Sequence, residues 1–199
     1  MAAKFLPYLL AGISVGGQYA LIAIGYTMVY GILRLINFAH GDIFMMAGYF
    51  MIICMTDLLI PWYISLLLVV LFTVLLGVFI ERIAYKPLRD APRMSIMISA
   101  IGVSYFLQNA ALLIWSSNPK TFTSVVTGEA LSLFGGQMQI SKVTLVAIAA
   151  CVVIMVALML FTGKSKVGTA MRAVSEDKGA AQLMGINVNS TISLTFAIG

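Results

Sequence analysis

Apolar residues run unbroken through most of this chain, and the polar ones gather in a few short segments between the runs. Phe5 to Leu33 carries no charged residue, and a bilayer crossing needs about 20 apolar residues. Tyr63 to Ile80, Met94 to Pro119 and Val143 to Thr162 read the same way. Ile43 to Thr56 gives only 14 uncharged residues before Asp57, too few to cross unaided. A further apolar run begins at Thr191, and the chain ends nine residues into it, at Gly199. The pattern predicts an all-α, polytopic transmembrane helical bundle with five spans plus the start of a sixth. It reads as one domain over 1–199 whose C-terminal part is missing. Lys4 is the one charge ahead of the first run, and no A-x-A cleavage pattern follows it. The first run is therefore expected to be a retained span.

Two interruptions carry most of the information. The first is Gly31 to Asp42. Either the helix that follows begins early, with Asn37 and His40 at membrane depth, or Arg34, His40 and Asp42 form a short cytoplasmic turn. In the first case the span is broken, Gly41-Asp42 opens its second half, and Asp42 caps it. Irregular backbone at that depth is tolerated only when buried in protein or lining a cavity, so Asn37, His40, Gly41 and Asp42 are the pathway candidates. Gly12, Gly16 and Ala20 in the first run are spaced as one smooth helix face. Ordinary helix–helix packing accounts for such a face.

The second interruption is 163–190, expected to be a cytoplasmic loop. Lys164, Lys166, Arg172, Glu176, Asp177 and Lys178 fall within fifteen residues, against none in the twenty from Val143 to Thr162. Ser175-Glu176-Asp177 reads as a helix start, with a hydroxyl to cap free N–H groups and two carboxylates at the positive helix end. Gly185 is placed to end the helix in the left-handed conformation. Ala180 and Ala181 give the short helix a small-residue face on the water side, where another protein can approach closely.

Composition and charge narrow the class. The chain has 199 residues, 61% hydrophobic and 10% charged, whereas a soluble domain carries roughly a quarter charged residues. The net charge of +5 does not point to nucleic acid. It comes from two loops beside apolar spans, one with Arg82, Lys86, Arg89 and Arg93, the other with Lys164, Lys166, Arg172 and Lys178. Placing both inside puts the 116–142 loop and the N-terminus outside and Arg34 inside. Gln108 and Asn109 are expected to bond between helices. Cys54 and Cys151 lie in apolar runs and read as packing residues. Gly163-Lys164-Ser165 imitates the end of a phosphate-binding loop, but the glycine that motif needs five positions earlier is Leu158. No metal site, cofactor or catalytic group is expected. A secondary transporter or channel, with His40 and Asp42 serving a coupling ion, is the alternative from another class.

Leu35-Ile-Asn-Phe-Ala-His-Gly-Asp42 resembles the permease subunits of branched-chain amino-acid ABC importers. Glu81-Arg-Ile-Ala-Tyr-Lys-Pro-Leu-Arg89, Ile101 to Asn109, and Arg172 to Asp177 continuing to Gly185-Ile186-Asn187 look like the same family. Gly179-Ala-Ala-x-x-x-Gly185 is similar to the family's Glu-Ala-Ala-x-x-x-Gly coupling pattern, with glycine for the acid. The resemblance implies a bundle of the ABC importer permease type in the cell inner membrane, surrounded by lipid. It implies a second permease subunit (a copy or a paralogue), two cytoplasmic ATP-binding subunits that hydrolyse ATP, and a periplasmic substrate-binding protein. Leucine, isoleucine and valine are the implied cargo, with urea or short amides as the alternative within the family. Ser175, Glu176, Asp177, Ala180, Ala181 and Gly185 are then the ATPase-coupling residues. Ala180 and Ala181 are expected on a face buried only against the ATPase.

Overall fold

The computed structural model describes residues 2–33, 36–89, 91–120, 131–133 and 138–199. Eight α-helices appear among them: α1 (Ala2–Leu33), α2 (His40–Ile52), α3 (Trp62–Ile80), α4 (Arg93–Trp115), α5 (Lys142–Lys164), α6 (Lys166–Glu176), α7 (Lys178–Leu183) and α8 (Val188–Ile198). The bundle is all-α except for a short antiparallel hairpin between α4 and α5. There β1 (Leu131–Leu133) pairs with β2 (Met138–Ile140), Leu131 opposite Ile140. Arg34, and the part of the expected outer loop from 121 to 130, lie outside the described residues.

Among the described residues four helical segments are long and apolar enough to cross a membrane: Tyr8–Gly31, Trp62–Leu88, Met94–Trp115 and Lys142–Lys164. Of the five spans expected, the second is the exception. It is formed by α2, 13 residues, prolonged by a five-residue π-helical turn over Ile53–Asp57. The third runs further than the sequence suggests. Beyond Ile80 the backbone continues through a π turn at Glu81–Tyr85 and a 3-10 turn at Lys86–Leu88, so the start of the expected basic loop is helical. Pro87 causes no early break because it sits in the first turn of that 3-10 segment, where its missing N–H costs nothing.

The chain divides into two compact units, Met1–Gly25 with Ser124–Thr169, and Tyr26–Thr123 with Ala170–Gly199. In the first, α1 and α5 come close at Gly17, where an added Cβ would lie 3.3 Å from that of buried Cys151. The smooth face expected at Gly12, Gly16 and Ala20 makes no such close approach at its two glycines among the described residues. An added Cβ at either has no neighbour within 4 Å. Gly163-Lys164 closes α5, and the hydroxyl of Ser165 accepts a bond from the Gly168 N–H in the first turn of α6. That is a cap and not a nucleotide loop.

In the second unit α3 is the central helix. Leu67, Leu71, Leu75 and Phe79, four residues apart, are all exposed along one side, an apolar stripe suited to lipid. The other side holds Ser65, Gly77 and Ile80, all buried. Phe72 of α3 stacks on Phe50 of α2 with ring centroids 4.1 Å apart. Gly77 admits α8 so closely that an added Cβ would stand 3.0 Å from the Phe196 carbonyl oxygen. Small residues permit such backbone approach where no hydrophobic effect drives helices together.

Candidate functional site

The chain leaves α1 and re-enters a helix at His40, so residues 36–39 break the helical path. Asn37 organises this break. Its Oδ1 accepts a bond from the Ala39 N–H at 3.2 Å and from the Tyr85 hydroxyl at 2.7 Å, and its carbonyl accepts from the His40 N–H. Asn37 and Ala39 are buried in protein, the condition under which lipid-depth backbone can be irregular. His40 lies edge-on to Tyr26, ring centroids 5.9 Å apart. Gly41 has open space around it.

Asp42 is not the cap that its position suggests. The residue preceding α2 is Ala39, with no side-chain cap bond, and Asp42 falls within the first turn. Its carboxylate, in a residue only 8% exposed, turns to α4 and accepts bonds from the Ser104 hydroxyl and, at 3.0 Å, from Gln108 Nε2. Gln108 also donates to the Ser104 hydroxyl at 3.1 Å, which closes a three-member polar cluster between two helices. Gln108 therefore bonds between helices as expected, whereas Asn109 donates to the Tyr105 carbonyl of its own helix.

The 163–190 stretch folds differently from its reading at one end and as read at the other. Ser175 and Glu176 end α6 instead of starting the next helix, and the Ser175 hydroxyl donates to the Arg172 carbonyl. Asp177 alone is the cap of α7. Its Oδ1 accepts from the Gly179 and Ala180 N–H groups at 2.7 and 3.0 Å. At the far end Gly185 has φ +82°. Its N–H donates to the Gln182 carbonyl and that of Ile186 to the Ala181 carbonyl, both at 3.0 Å. This is the paired-bond closure that glycine favours after a helix.

The side chains of α7 correct the expected docking face. Ala180 is exposed, but Ala181 is 4% exposed within this chain. It faces inward within the chain itself. The large exposed groups are instead Leu183 and Met184, at 90% and 83%. Two adjacent apolar side chains standing free on a helix end, beside Lys178 and Gln182, form the accessible surface of α7. A six-residue helix spans fewer than two turns, too short for periodicity to reveal which face points out.

Directly after α7, Asn187 caps α8 by accepting the Ser190 N–H at 3.0 Å. From α8 two side chains then reach the end of α3, into a cluster that the loop charges concealed. Glu81, 0% exposed, is paired with Arg89 and accepts the Ser193 hydroxyl at 2.8 Å. Arg89 also donates to Asn189 Oδ1. A carboxylate removed from water is costly unless paired and hydrogen-bonded, and here three side chains pair with it or its partner. The buried Arg89 Nε has no hydrogen-bond partner among the described residues. Nearby, the ring of Tyr85, which holds Asn37, lies 5.5 Å from that of Phe196 on α8. The helix after α7 is thus tied to the long span α3 and its continuation by two hydrogen bonds, made to the two members of the Glu81–Arg89 pair, and by the close contact at Gly77.

Among the described residues four helical segments are fit to cross a membrane, and the capped helix α7 leads into α8, whose side chains bond to the buried Glu81–Arg89 pair at the end of α3. A high-affinity branched-chain amino acid transport system permease protein, BraD of Pseudomonas aeruginosa, is 41% identical to 98% of this chain, across 67% of its own length. The LivH permease proteins of Salmonella typhimurium and Escherichia coli, from systems of the same description, are each 40% identical over the same shares. No solved structure matches the chain. The family model for the branched-chain amino acid transport system permease component matches residues 8–199, and the chain belongs to that family.

Proposed function

We propose that this chain is the transmembrane permease subunit of an ATP-driven ABC importer that carries leucine, isoleucine and valine into the cytoplasm. It works with a second permease, two ATP-binding subunits that perform the hydrolysis, and a periplasmic binding protein that delivers the cargo. Both basic loops face the cytoplasm and the N-terminus faces the periplasm. The observation that carries the reading is the connection from α7 to α3. The exposed Leu183–Met184 pair offers the motor a foothold, Gly185 and Asn187 hold the short link to α8 in a fixed shape, and the Glu81–Arg89 cluster joins α8 to a membrane span. Closure of the ATPase pair against α7 then moves α8, and α3 with it. From Tyr85 the movement reaches Asn37, α2 and, through Asp42, α4. This assigns Asn37 and Asp42 to holding the moving helices in register.

Reconstitution tests the proposal. The permease pair in proteoliposomes with both ATPases and the loaded binding protein should accumulate leucine on addition of ATP. Leucine uptake by the permeases alone, driven by a proton or sodium gradient, would sink it in favour of a secondary transporter. Gly185 gives a finer test of the connection. An added Cβ there meets nothing within 4 Å, so Gly185→Val acts through its backbone alone, at a cost of about 1–3 kcal/mol. The expected result is normal insertion with ATP hydrolysis that no longer responds to loaded binding protein. Gly185→Asn, which tolerates the same conformation, should keep most of the response. Equal behaviour of the two variants would remove the closure from the coupling path.

A further inference from the structure

At the end of α3 remote from Glu81, roughly 28 Å away along a helix of 19 residues, a cavity of about 200 Å³ opens between α2 and α4. Its lining is of three kinds. Tyr49 and Trp115 form one wall as stacked rings, centroids 4.8 Å apart and planes 7° apart. Ile52 and Ile53 add aliphatic surface, and Asp57 and Lys120 bring one negative and one positive charge. Among the described residues neither Asp57 nor Lys120 is in an ion pair.

The backbone around the cavity is unusual. The last turn of the α2 segment widens into the π turn Ile53–Asp57, closed by the Leu58 N–H donating to the Ile53 carbonyl. Such turns are rare and frequent at functional sites. Both segments leaving the cavity pass through the left-handed region without glycine, Leu59 at φ 52° and Ser116 at φ 62°. Strained backbone of this kind persists where the surroundings hold it, as at ligand sites.

We propose that this cavity is a reception site for a zwitterionic aliphatic α-amino acid, and this rests on the importer reading above. Asp57 faces the ammonium group, Lys120 the carboxylate, and the isoleucines and stacked rings take the apolar side chain. The accessible lining is somewhat more polar than apolar, which suits a ligand with two charged groups and one apolar side chain, and concave sites of this mixed kind are where small molecules bind. The charges select within the cargo classes. An uncharged amide or urea has nothing to match an Asp and a Lys, and an anion or cation alone would leave one of them unmatched. The ion pairs also fix the orientation in which the side chain enters.

The experiment uses the assembled transporter, purified without its binding protein and carrying Thr56→Cys at the cavity wall. The native Cys54 and Cys151 are buried, so modification by a charged methanethiosulfonate reports the new thiol. Millimolar leucine is expected to slow labelling severalfold, while isopentylamine and isocaproate, each keeping one charge and the apolar part, leave it unchanged. Asp57→Asn and Lys120→Gln should each abolish the protection and raise the KM for leucine uptake severalfold. Stimulation of ATP hydrolysis by the binding protein should stay as in wild type. Equal protection by all three compounds would reduce the cavity to an apolar crevice, and no protection by leucine would remove the site. Loss of binding-protein stimulation in the charge variants would make Asp57 and Lys120 docking residues and overturn the proposal. In all three of these cases ATP-driven leucine uptake by the wild type stands. Failure of the importer reading shows instead as absence of that uptake.

Discussion

Arg89→Met is expected to destabilise the permease by about 3–5 kcal/mol, the cost of removing one partner from a buried ion pair. The loss falls on Glu81, which is 0% exposed and would keep only the Ser193 hydroxyl. The partner of Arg89 on α8, Asn189, would lose its donor as well. Arg89→Lys should recover little, because a single ammonium does not reproduce the fork that reaches Glu81 and Asn189 together. Adding Glu81→Gln to Arg89→Met should recover much of the stability by removing the stranded charge. The measurement is thermal unfolding of the detergent-purified permease, run as a double-mutant cycle. A single variant as stable as wild type would mean that water reaches Glu81. The doubly substituted protein carries the more informative result for function. If it is stable yet transports poorly, the pair is needed for movement and not only for folding.

Leu183→Ser combined with Met184→Ser should separate the permease from its ATPases without harming the permease itself. Both side chains are almost wholly exposed in the chain, so neither contributes to its core. Burying a side chain of this size against a partner contributes about 1.5–3 kcal/mol. Losing one such contact weakens motor binding by about 10- to 100-fold, at 1.4 kcal/mol per tenfold. Membrane insertion and accumulation should be normal, copurified ATPase should fall sharply, and ATP-driven uptake should fall with it. Wild-type copurification of the double variant would place the motor elsewhere. Ala181→Trp, by contrast, should fail as a folding defect, since Ala181 is enclosed by its own chain.

The membrane spans were legible because a bilayer tolerates few charges, and their absence over about 20 residues is a signal that survives without any structure. The C-terminal end of α7 was legible for a similar reason, because Gly185 occupies a position where backbone chemistry admits few residue types. The start reads two residues early in the sequence, since the Ser175 hydroxyl and the Asp177 carboxylate are both chemically fit to cap. What could not be read was direction. Nothing in Lys178–Leu183 shows that Ala181 turns in while Leu183 turns out, because a helix of six residues has no repeat to display. Glu81 was misleading in another way. Its basic neighbours suggest a solvated loop, yet the helix continues past it and Arg89 folds back to pair with it. Asp42 looked like a cap because acids are common at helix starts. Its real partners, Ser104 and Gln108, lie more than sixty residues away in sequence, and only the fold brings them together.

The contact at Gly77 restricts how a stroke can travel. Gly77 leaves the Phe196 carbonyl a space that any side chain would crowd, an added Cβ lying 3.0 Å from it, so α8 sits close against α3 at that point and has little room to rock further toward it. The freedom that remains is tangential: a slide along α3 or a roll about its own axis, with the backbones keeping their spacing. Movement of that kind is shear, and shear between packed helices comes in small steps as side chains pass from one groove to the next. A push on α7 would then reach α3 as a short displacement with preferred stopping points. The Glu81–Arg89 pair, on the same interface, would set which stopping point is held when the motor lets go.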